Sequence, residues 1–540
     1  MSEDIVKEIS ESDKTLFVGL AGPGTGKSHT FGKIIKSDVF KDKKILILSF
    51  INKLVDDLCF EFKDFSKVEI CTLHSFAFKK IGNLELDPLL DKYISEDNSF
   101  INENSVNYDH LFYLNQLTEN EEEFYKKRKS YYENGTKIYS FNSVVYALNK
   151  LFEQSPNRIP QYDLILIDEF QDFNRLEIKL IELLRTKNKV VLVGDDDQSL
   201  YDFKKASPNE IRKLYQDSSS ISFSLDYCYR CTRVIVDATN SLITNARKNG
   251  LLLDRLNDKN FMYPSEDTNH INKHNLSDKY THIYFKPAST GAKLIHDLAE
   301  NIKSDFCEQS GRVLVLCPSY LKQTIYDGLS NKGFNVVDYE LFVGEEKNGL
   351  KHRELIEIFE TLTKRKTDNI SLRKILILYL NNSEIQQLVK NTDSEGKKIW
   401  SYLSDDIKKK IEEDIGIYKK VKKGADELTD SELIRFAEIF NIKNLLSKMI
   451  NKFSPTPRGA IEVELTTTIS SKGLSAEYVY YLGIDDINLQ DRDKKTIEDK
   501  QVCEFLVGIT RAKNKLTLIS QKDTSPKILE LIDNTYIQTI

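Results

Sequence analysis

Short apolar runs recur along the first 75 residues and alternate with helix-like segments. The runs are TLFVGLA (15–21), KILILSF (44–50) and VEICTL (68–73), and two more follow as YDLILIDE (162–169) and KVVLVGD (189–195). Short, continuously apolar strands that alternate with helical patterns are typical of a parallel sheet covered by helices on both faces. We therefore predict one such sheet, which the two later runs resume after an interruption.

The interruption, from about Lys79 to Pro160, is polar, rich in aromatic residues and patterned as helix, so we predict an inserted helical subdomain. A second α/β unit is predicted to start near Ser222, with a shorter, lysine-rich helical interruption between about Asn381 and Pro455. Its predicted strands are SFSLD (222–226), THIYFK (281–286), RVLVLC (312–317), EVELTTTI (462–469), EYVYYLG (477–483) and KLTLIS (515–520).

Composition narrows the class of protein without indicating a ligand. A chain of 540 residues is too long for one core, so two to four domains are expected, and 40% hydrophobic with 30% charged residues is typical of a globular protein. The net charge of −6 gives no overall attraction to nucleic acid, so any such surface must be a local basic track. Seven scattered cysteines favour reduced thiols in a cytoplasm, and the absence of a signal peptide or long apolar run predicts no membrane insertion.

The stretch AGPGTGKS, Ala21 to Ser28, carries the first candidate chemistry. It fits the phosphate-loop pattern G-x-x-x-x-G-K-[ST], except that Ala21 replaces the first glycine, and it lies between a predicted strand and a predicted helix. Glycines there let backbone N–H groups converge on phosphate oxygens, Lys27 would contact the β- and γ-phosphates, and Ser28 would ligate Mg²⁺. The alternative is a glycine-rich turn before a helix. The predicted nucleotide-binding residues of the loop are Gly22, Gly24, Thr25, Gly26, Lys27 and Ser28.

Two further motifs follow buried strands. In LILIDEFQD (164–172), Asp168 and Glu169 lie at the carboxyl end of a strand, where open α/β sheets bind ligands, so Asp168 would hold Mg²⁺ and Glu169 would activate water. An acidic helix start is the alternative. In VGDDDQSLYDFKKA (193–206), Gln198 suits a sensor of the γ-phosphate. The aromatic residues Tyr201 and Phe203 with Lys204 suit stacking of unpaired bases, although aromatics alone are more often core residues.

The ordered motifs resemble superfamily 1 helicases of the UvrD/Rep/PcrA type. The resemblance runs from Gly19 to Ser520, and its further segments are SFINK (49–53), TLHSFA (72–77), LDYCYRCT (225–232), SSKGLSAEYV (470–479) and VGITRAKNKL (507–516). It implies two RecA-like parallel-sheet P-loop domains in tandem, each interrupted by a mainly helical insertion. The expected bounds are 1–78 with 161–221 for domain 1A, 79–160 for insertion 1B, 222–380 with 456–540 for domain 2A, and 381–455 for a reduced insertion 2B.

The resemblance also implies roles for individual residues. Arg230 and Arg511 would act as arginine fingers on the γ-phosphate, together with the catalytic Lys27, Asp168, Glu169 and Gln198. Tyr229 would stack on adenine, and Gly473 would lie beside the nucleotide. The implied single-strand contacts are Phe50, Asn52, His74, Tyr201, Phe203, Lys204 and Lys472.

Several positions depart from the family pattern. Residues 1–21 contain no glutamine to read adenine, Ile469 replaces a histidine and Ser475 replaces a glutamate. Two hypotheses follow. The first is an ATP- and Mg²⁺-dependent 3′ to 5′ translocase or helicase on single-stranded DNA and on duplexes with a 3′ single-stranded tail, acting in repair, recombination or defence against foreign DNA. The second is an ATP-switched DNA-sensing subunit that unwinds little and regulates a partner such as a nuclease.

Overall fold

A computed structural model of the chain describes most of the sequence. The described residues are 2–49, 52–198, 200, 204–256, 259–267, 271–287, 289–338, 346–347, 350–423, 428–440, 460–490 and 495–540.

The strands of the described residues are short, as expected for strands joined by helices. They are β1 (Leu16–Ala21), β2 (Ile45–Ser49), β3 (Val68–Thr72), β4 (Leu84–Leu86), β5 (Lys137–Tyr139), β6 (Leu164–Ile167), β7 (Val190–Gly194), β8 (Ile221–Leu225), β9 (Ile283–Lys286), β10 (Val313–Leu316), β11 (Asn335–Val337), β12 (Glu346–Lys347), β13 (Leu350–Lys351), β14 (Glu462–Thr466), β15 (Ala476–Leu482), β16 (Ala512–Ile519) and β17 (Ile537–Thr539).

Helices connect these strands and build the insertions. They are α1 (Ser2–Glu11), α2 (Lys27–Lys36), α3 (Asn52–Glu61), α4 (Leu73–Ile81), α5 (Leu90–Asn102), α6 (Tyr108–Leu114), α7 (Glu119–Tyr132), α8 (Phe141–Gln154), α9 (Arg175–Arg185), α10 (Asn209–Gln216), α11 (Arg233–Lys248), α12 (Ile271–Lys279), α13 (Gly291–Glu308), α14 (Ser319–Asn331), α15 (His352–Lys364), α16 (Asn369–Ile375), α17 (Asn382–Glu395), α18 (Ile399–Tyr402), α19 (Asp405–Lys423), α20 (Asp430–Phe440) and α21 (Asp499–Ile509).

Two parallel sheets organise the α/β part of the chain. The first has the order β3-β2-β6-β7-β1-β8, and its central strands β1, β2, β6 and β7 are buried along their whole length. The second has the order β11-β14-β10-β15-β16-β9-β17. We refer to each sheet with its helices as the first and second lobe. The predicted fold class, two parallel-sheet domains in tandem, is confirmed.

One strand belongs to a different sheet from the one predicted. The segment SFSLD was expected to open the second sheet, but β8 pairs in parallel with β1, with Phe17 opposite Ile221. The prediction was wrong because a half-buried pattern identifies a strand and not its neighbour. Packing explains the observed place, since the Phe223 ring covers Gly19 so closely that a Cβ there would lie 2.5 Å from it.

By their contacts the described residues form two compact units. The first unit comprises 1–76, 152–338 and 456–540 and contains both lobes; the second comprises 77–151 and 339–455. Both helical insertions therefore share one unit, together with residues 339–380 that were predicted to lie in the second α/β domain. The division into four domains stays a prediction.

A buried ionic cluster ties the two insertions together within the second unit. Asp97 of α5 accepts from Arg128 Nε of α7 at 2.6 Å and from Arg373 Nε of α16 at 2.8 Å. The three side chains are each at most 3% exposed, and Tyr132 also donates to Asp97. Although burial would raise the pKa of Asp97, the two arginines outweigh it and hold the pKa below its usual value.

Among the helices that the structure describes, none has the length and apolarity that crossing a bilayer requires.

The cluster predicts a large loss of stability in one variant. Arg373→Met leaves the Asp97 carboxylate with one arginine in a buried setting, so local unfolding of the second unit should become easier by about 3 kcal/mol. Hydrogen exchange of the amides in α5 and α16 measures this change. Arg353→Met is the control, because Arg353 is 73% exposed in a pair with Glu357 and should change stability by less than about 0.5 kcal/mol. Equal protection in the two variants would contradict the role given to the cluster.

Candidate nucleotide site

The glycine-rich loop has the backbone that its sequence predicts. It leaves β1 at Ala21 and enters α2 at Lys27, and Gly24 and Gly26 adopt positive φ values of 70° and 89°. That left-handed conformation favours glycine. The hydroxyl of Thr25 donates to the Gly22 carbonyl at 2.9 Å and closes the turn. The loop therefore presents its backbone at the start of a helix, the arrangement that binds phosphate groups.

A segment of the second lobe lies directly against this loop. The Tyr229 N–H donates to the Gly24 carbonyl at 2.9 Å. A Cβ on Gly24 would lie 2.3 Å from Cβ of Arg230 and 3.3 Å from Sγ of Cys228, so only glycine fits there. Gly24 is thus required both by its φ and by the close approach of residues 228–230.

The loop and both lobes enclose a cavity of about 460 Å³. Most residues predicted for nucleotide binding and hydrolysis line it: Gly24, Thr25, Gly26, Lys27, Ser28, Asp168, Glu169, Gln198, Tyr229, Arg230, Gly473 and Arg511. Gly22 lies at the base of the loop, where the Phe261 ring covers it. Five further residues line the cavity and were not among the predicted site residues, although Pro23 lies in the loop and Ser475 was noted as a departure from the family pattern: Pro23, His29, Lys273, Ser475 and Lys513.

Lysine 27 and the two carboxylates of the DEFQD motif form a compact charged group. Nζ of Lys27 lies 3.2 Å from Oε1 of Glu169, and the side-chain amide of Gln171 donates to Oε2 of Glu169 at 2.7 Å. Asp168 accepts from the Glu169 N–H at 2.8 Å. Glu169 has a φ of 52°, a backbone conformation that costs free energy for a residue with a side chain and that occurs preferentially at functional sites.

The two adjacent carboxyl groups have pKa values displaced in opposite directions. Burial, and then the negative charge of Glu169, raise the pKa of Asp168 to about 7. Burial would also raise the pKa of Glu169, but the cations Lys27 and Lys472 outweigh it and lower the pKa to about 2. Adjacent acids with separated pKa values are the arrangement by which a site assigns different tasks to similar groups.

The residues predicted for Mg²⁺ offer suitable donors. Ser28 supplies a hydroxyl oxygen and Asp168 a carboxylate, and both line the cavity. Hard oxygen donors beside a phosphate site are the ligands that Mg²⁺ prefers. The pKa of Asp168 is raised by burial and, after that, by the negative charge of Glu169, and a divalent cation would counteract both effects. The donor set therefore fits the ion.

Two arginines of the second lobe, Arg230 and Arg511, line this cavity. Nη1 of Arg230 is buried and has no hydrogen-bond partner among the described residues. The hydrogen bonds of Arg511 go to neutral oxygens, including the Gln198 side chain at 3.3 Å and the Val507 carbonyl at 2.9 Å. Burial and the nearby Arg230 lower the pKa of Arg511 to about 9. This part of the cavity is therefore positively charged and suited to an anion.

The turn that carries Gln198 is held by two side chains of the second lobe. Arg511 bonds the Gln198 side chain, and Nζ of Lys472 donates to the Gln198 carbonyl at 2.7 Å and to Asp172 at 2.5 Å. The Lys472 side chain is only 2% exposed. The resemblance assigned Lys472 to DNA, and that assignment stays a prediction; here its ammonium group connects the lobes.

The predicted DNA contacts are only partly described. Phe50, Tyr201 and Phe203 lie outside the described residues, and the side chain of Asn52 is not described. His74 is one-fifth exposed, and its Nε2 lies 3.4 Å from Oε1 of the buried Glu177. Burial and the nearby Lys204 lower the pKa of His74 to about 4, so the ring is neutral at pH 7. The DNA roles of all these residues stay predictions.

A second large cavity, of about 1020 Å³, lies at the carboxyl ends of strands β10, β14 and β15. In parallel sheets this edge is the usual place for ligands. Its lining includes Pro318, Tyr320, Thr467, Ile469, Asn488 and Lys522. Strand ends were the available sequence signal for these residues, but a strand end alone does not indicate which side chains share a groove.

Comparisons with known proteins find similarity to DNA helicases. Residues 80–219 match the family model of the UvrD/REP helicase N-terminal domain. The chain is 25% identical over 455 residues to the probable DNA helicase II homolog of Mycoplasma capricolum subsp. capricolum, an alignment that covers 72% of this chain and 60% of that protein. It is 24% identical over 418 residues to the ATP-dependent DNA helicase Rep of Buchnera aphidicola subsp. Schizaphis graminum, which covers 65% and 61% of the two chains.

A shorter match is closer. Over 94 residues the chain is 40% identical to DNA helicase II of Escherichia coli, which covers 17% of this chain and 13% of that protein. The chain thus spans about three fifths of the length of the relatives from Mycoplasma capricolum and Buchnera aphidicola. Together with the ordered motifs and the two parallel sheets, these similarities support the resemblance of the chain to superfamily 1 helicases of the UvrD/Rep type.

Proposed function

We propose that the chain hydrolyses ATP in the cavity between its two lobes and uses this reaction to move 3′ to 5′ along single-stranded DNA. The observation that carries the proposal is the pair Arg230 and Arg511, which line the cavity with the phosphate-binding loop; among the described residues Nη1 of Arg230 has no hydrogen-bond partner and Arg511 donates to neutral oxygens. A pair of arginines opposite such a loop suits the γ-phosphate of a nucleotide. The printed names of the relatives, DNA helicase II and Rep, support DNA as the second ligand.

In the proposed mechanism the phosphates compete with Glu169 for Lys27. The two side chains form an ion pair at 3.2 Å, and the β- and γ-phosphates would take over the ammonium group. When Lys27 turns to the phosphates, the pKa of Glu169 rises, because the adjacent ammonium group of Lys27 helps to lower that pKa. Nucleotide binding would therefore turn Glu169 into a stronger base toward the attacking water.

The remaining residues stabilise and position the reacting phosphate. Ser28 and Asp168 would hold Mg²⁺, which neutralises phosphate charge when it is bound. Arg230 and Arg511 stabilise the charge that develops on the transferred group, and Gln198 orients the water or the γ-oxygen. Since the arginines belong to the second lobe, hydrolysis requires that lobe to be in place.

The DNA strand is proposed to follow the carboxyl edges of both sheets. On the first lobe the proposed contacts are Phe50, Asn52, His74, Tyr201, Phe203 and Lys204, with Lys472 near the junction with the nucleotide. On the second lobe the groove beside Tyr320 and Ile469 continues the path, and Tyr320 is 59% exposed, as a base-stacking side chain must be. Closure and opening of the lobes with each ATP would move the strand.

Two substitutions test the hydrolytic site. Lys27→Ala removes the ammonium group that binds the phosphates and should abolish DNA-stimulated ATP hydrolysis. Glu169→Gln keeps the shape of the side chain and should retain ATP binding, while kcat falls by about 100-fold or more, the scale of a lost general base. Phosphate release and binding of labelled ATP measure both quantities.

A matched control for these variants lies on the same helix. Lys36 is half-exposed and pairs with Glu61, so Lys36→Ala should leave kcat unchanged. Normal turnover in Lys27→Ala or Glu169→Gln would remove the proposed mechanism.

A second candidate function is an ATP-switched DNA-sensing subunit that regulates a partner such as a nuclease. The observation that favours it is the altered sequence at Ile469 and in the segment SSKGLSAEYV (470–479). Ser475 lines the nucleotide cavity where the family has a glutamate, and Ile469, 37% exposed, lines the groove of the second sheet where the family has a histidine. The first replacement removes a carboxylate and the second an imidazole at places that would couple nucleotide to DNA.

Strand displacement separates the two functions. A translocase that unwinds should release the labelled strand from a duplex with a 3′ single-stranded tail, and should fail on the same duplex with a 5′ tail. A sensing subunit should show DNA-stimulated ATP hydrolysis with little release from either substrate. Release from the 5′-tailed duplex alone would contradict the proposed direction of movement.

A further inference from the structure

Three consecutive aspartates leave strand β7 and surround a single buried ammonium group. Nζ of Lys259 contacts Asp195, lies 3.0 Å from Asp196 Oδ1, and lies 2.7 Å from Asp197 Oδ2. The Lys259 side chain is 2% exposed, and the carboxylates are at most 6% exposed. Burial alone would lower the pKa of Lys259, but the three carboxylates outweigh it and raise the pKa. The ammonium group therefore stays charged and balances the cluster from within the chain.

The lysine is part of the second lobe. Its neighbour Phe261 belongs to the hydrophobic core of that lobe, and the Phe261 carbonyl accepts from Asn240 of α11 at 2.7 Å. Farther back, the Leu252 N–H donates to Asp499 at the start of α21 at 2.8 Å. Chain neighbours of Lys259 on either side are thus bound to helices of the second lobe, whereas its ammonium group contacts aspartates at a strand end of the first.

A second cation repeats this connection. Nε of Arg255 lies 2.9 Å from Oδ2 and 3.1 Å from Oδ1 of Asp197, and its Nη2 donates to the Lys259 carbonyl at 3.3 Å. On the opposite side, Arg212 of the first lobe holds Asp196 at 3.0 Å. The aspartate turn is therefore fixed from both lobes.

The turn and the lysine segment each lead to a predicted catalytic residue. The Gln198 N–H donates to the Asp195 carbonyl at 3.1 Å, so the position of Asp195 sets that of Gln198. The Met262 N–H donates to the Asp226 carbonyl and the Cys228 N–H to the Met262 carbonyl, each at 2.8 Å, and Arg230 follows two residues later. The buried ammonium group of Lys259 connects the aspartate turn that leads to Gln198 with the segment 259–262 that leads to Arg230.

We infer that Lys259 is a positioning residue for ATP hydrolysis: it fixes the Asp195–Asp197 turn to the second lobe, so that Gln198 and Arg230 are placed together at the γ-phosphate. The inference rests on the proposed function. Without the ammonium group, three neighbouring buried carboxylates repel one another, and protonation or displacement of one of them moves the turn. Nucleotide affinity depends on Lys27 and the glycine loop, whereas the hydrogen bonds of Lys259 Nζ go to the three aspartates, so the effect should fall on turnover.

The test compares kcat with nucleotide binding in Lys259→Met. In the full chain with single-stranded DNA, kcat should fall by about 10- to 100-fold, the scale of a small misplacement at a reacting centre. The KM for ATP and the Kd for a non-hydrolysable ATP analogue should stay within about threefold, as expected when an interaction serves the transition state. A kcat within about twofold of the wild type, or equal losses of kcat and analogue binding, would overturn the inference.

A control in the same lobe measures how much kcat changes when a buried lysine away from the cavity is replaced. Lys322 is 8% exposed and pairs with Asp338 at 2.9 Å, away from the cavity. Lys322→Met should lower thermal stability but leave kcat within about twofold of the wild type. A fall in kcat equal to that of Lys259→Met would mean that both variants report general destabilisation, which overturns the inference.

A milder variant serves if Lys259→Met does not fold. Arg255→Met removes the outer cation from Asp197 and keeps Lys259, so kcat should fall by about 3- to 10-fold with unchanged analogue binding. Wild-type turnover in Arg255→Met would then overturn the inference. If the wild-type chain itself shows no ATP hydrolysis, the proposed function fails instead, so the two failures are distinguishable.

Discussion

The close approach of residues 228–230 to the phosphate-binding loop is the constraint on which the cavity depends. Tyr229 bonds the Gly24 carbonyl, and Arg230 packs where any Cβ on Gly24 would stand. The loop is therefore shaped by its own positive φ values and also by a segment of the second lobe. One glycine meets both demands, and the cavity forms where the two lobes meet at that residue.

Charge is distributed across this contact in a way that favours an anionic ligand. The carboxylates near the loop, Glu169 and the Asp195–Asp197 turn, have cations of the chain beside them. Among the described residues, by contrast, Arg511 donates hydrogen bonds to neutral oxygens and Nη1 of Arg230 has no hydrogen-bond partner. A buried arginine without a counter-charge is costly. Anionic oxygens would lower that cost, so burial of the arginine atoms favours an anionic ligand in this part of the cavity.

The sequence predicted the parts of this arrangement that depend on local pattern. Asp168, Glu169 and Gln198 follow apolar runs, and since the carboxyl ends of parallel strands meet at one edge, their convergence with Lys27 could be expected. The neighbour of β8 could not be predicted, because strand pattern does not encode pairing. Lys259 was missed for a related reason: it lies in a polar stretch with no periodicity, and its partners are about 60 residues away in sequence.

In the helical unit, too, local sequence pattern did not predict which charged residue is buried. Arg128 lies in the run KKRK, whose pattern is that of an exposed helix face, yet it is buried against Asp97. Asp97 joins the two insertions and the aspartate turn joins the two lobes, each through a buried carboxylate with cations from separate segments. Apolar contacts would tolerate small shifts at such junctions, whereas a buried carboxylate that loses its cation is strongly penalised. We infer that each buried carboxylate fixes the relative position of the segments that it joins. A site built from residues of two lobes requires such a fixed position.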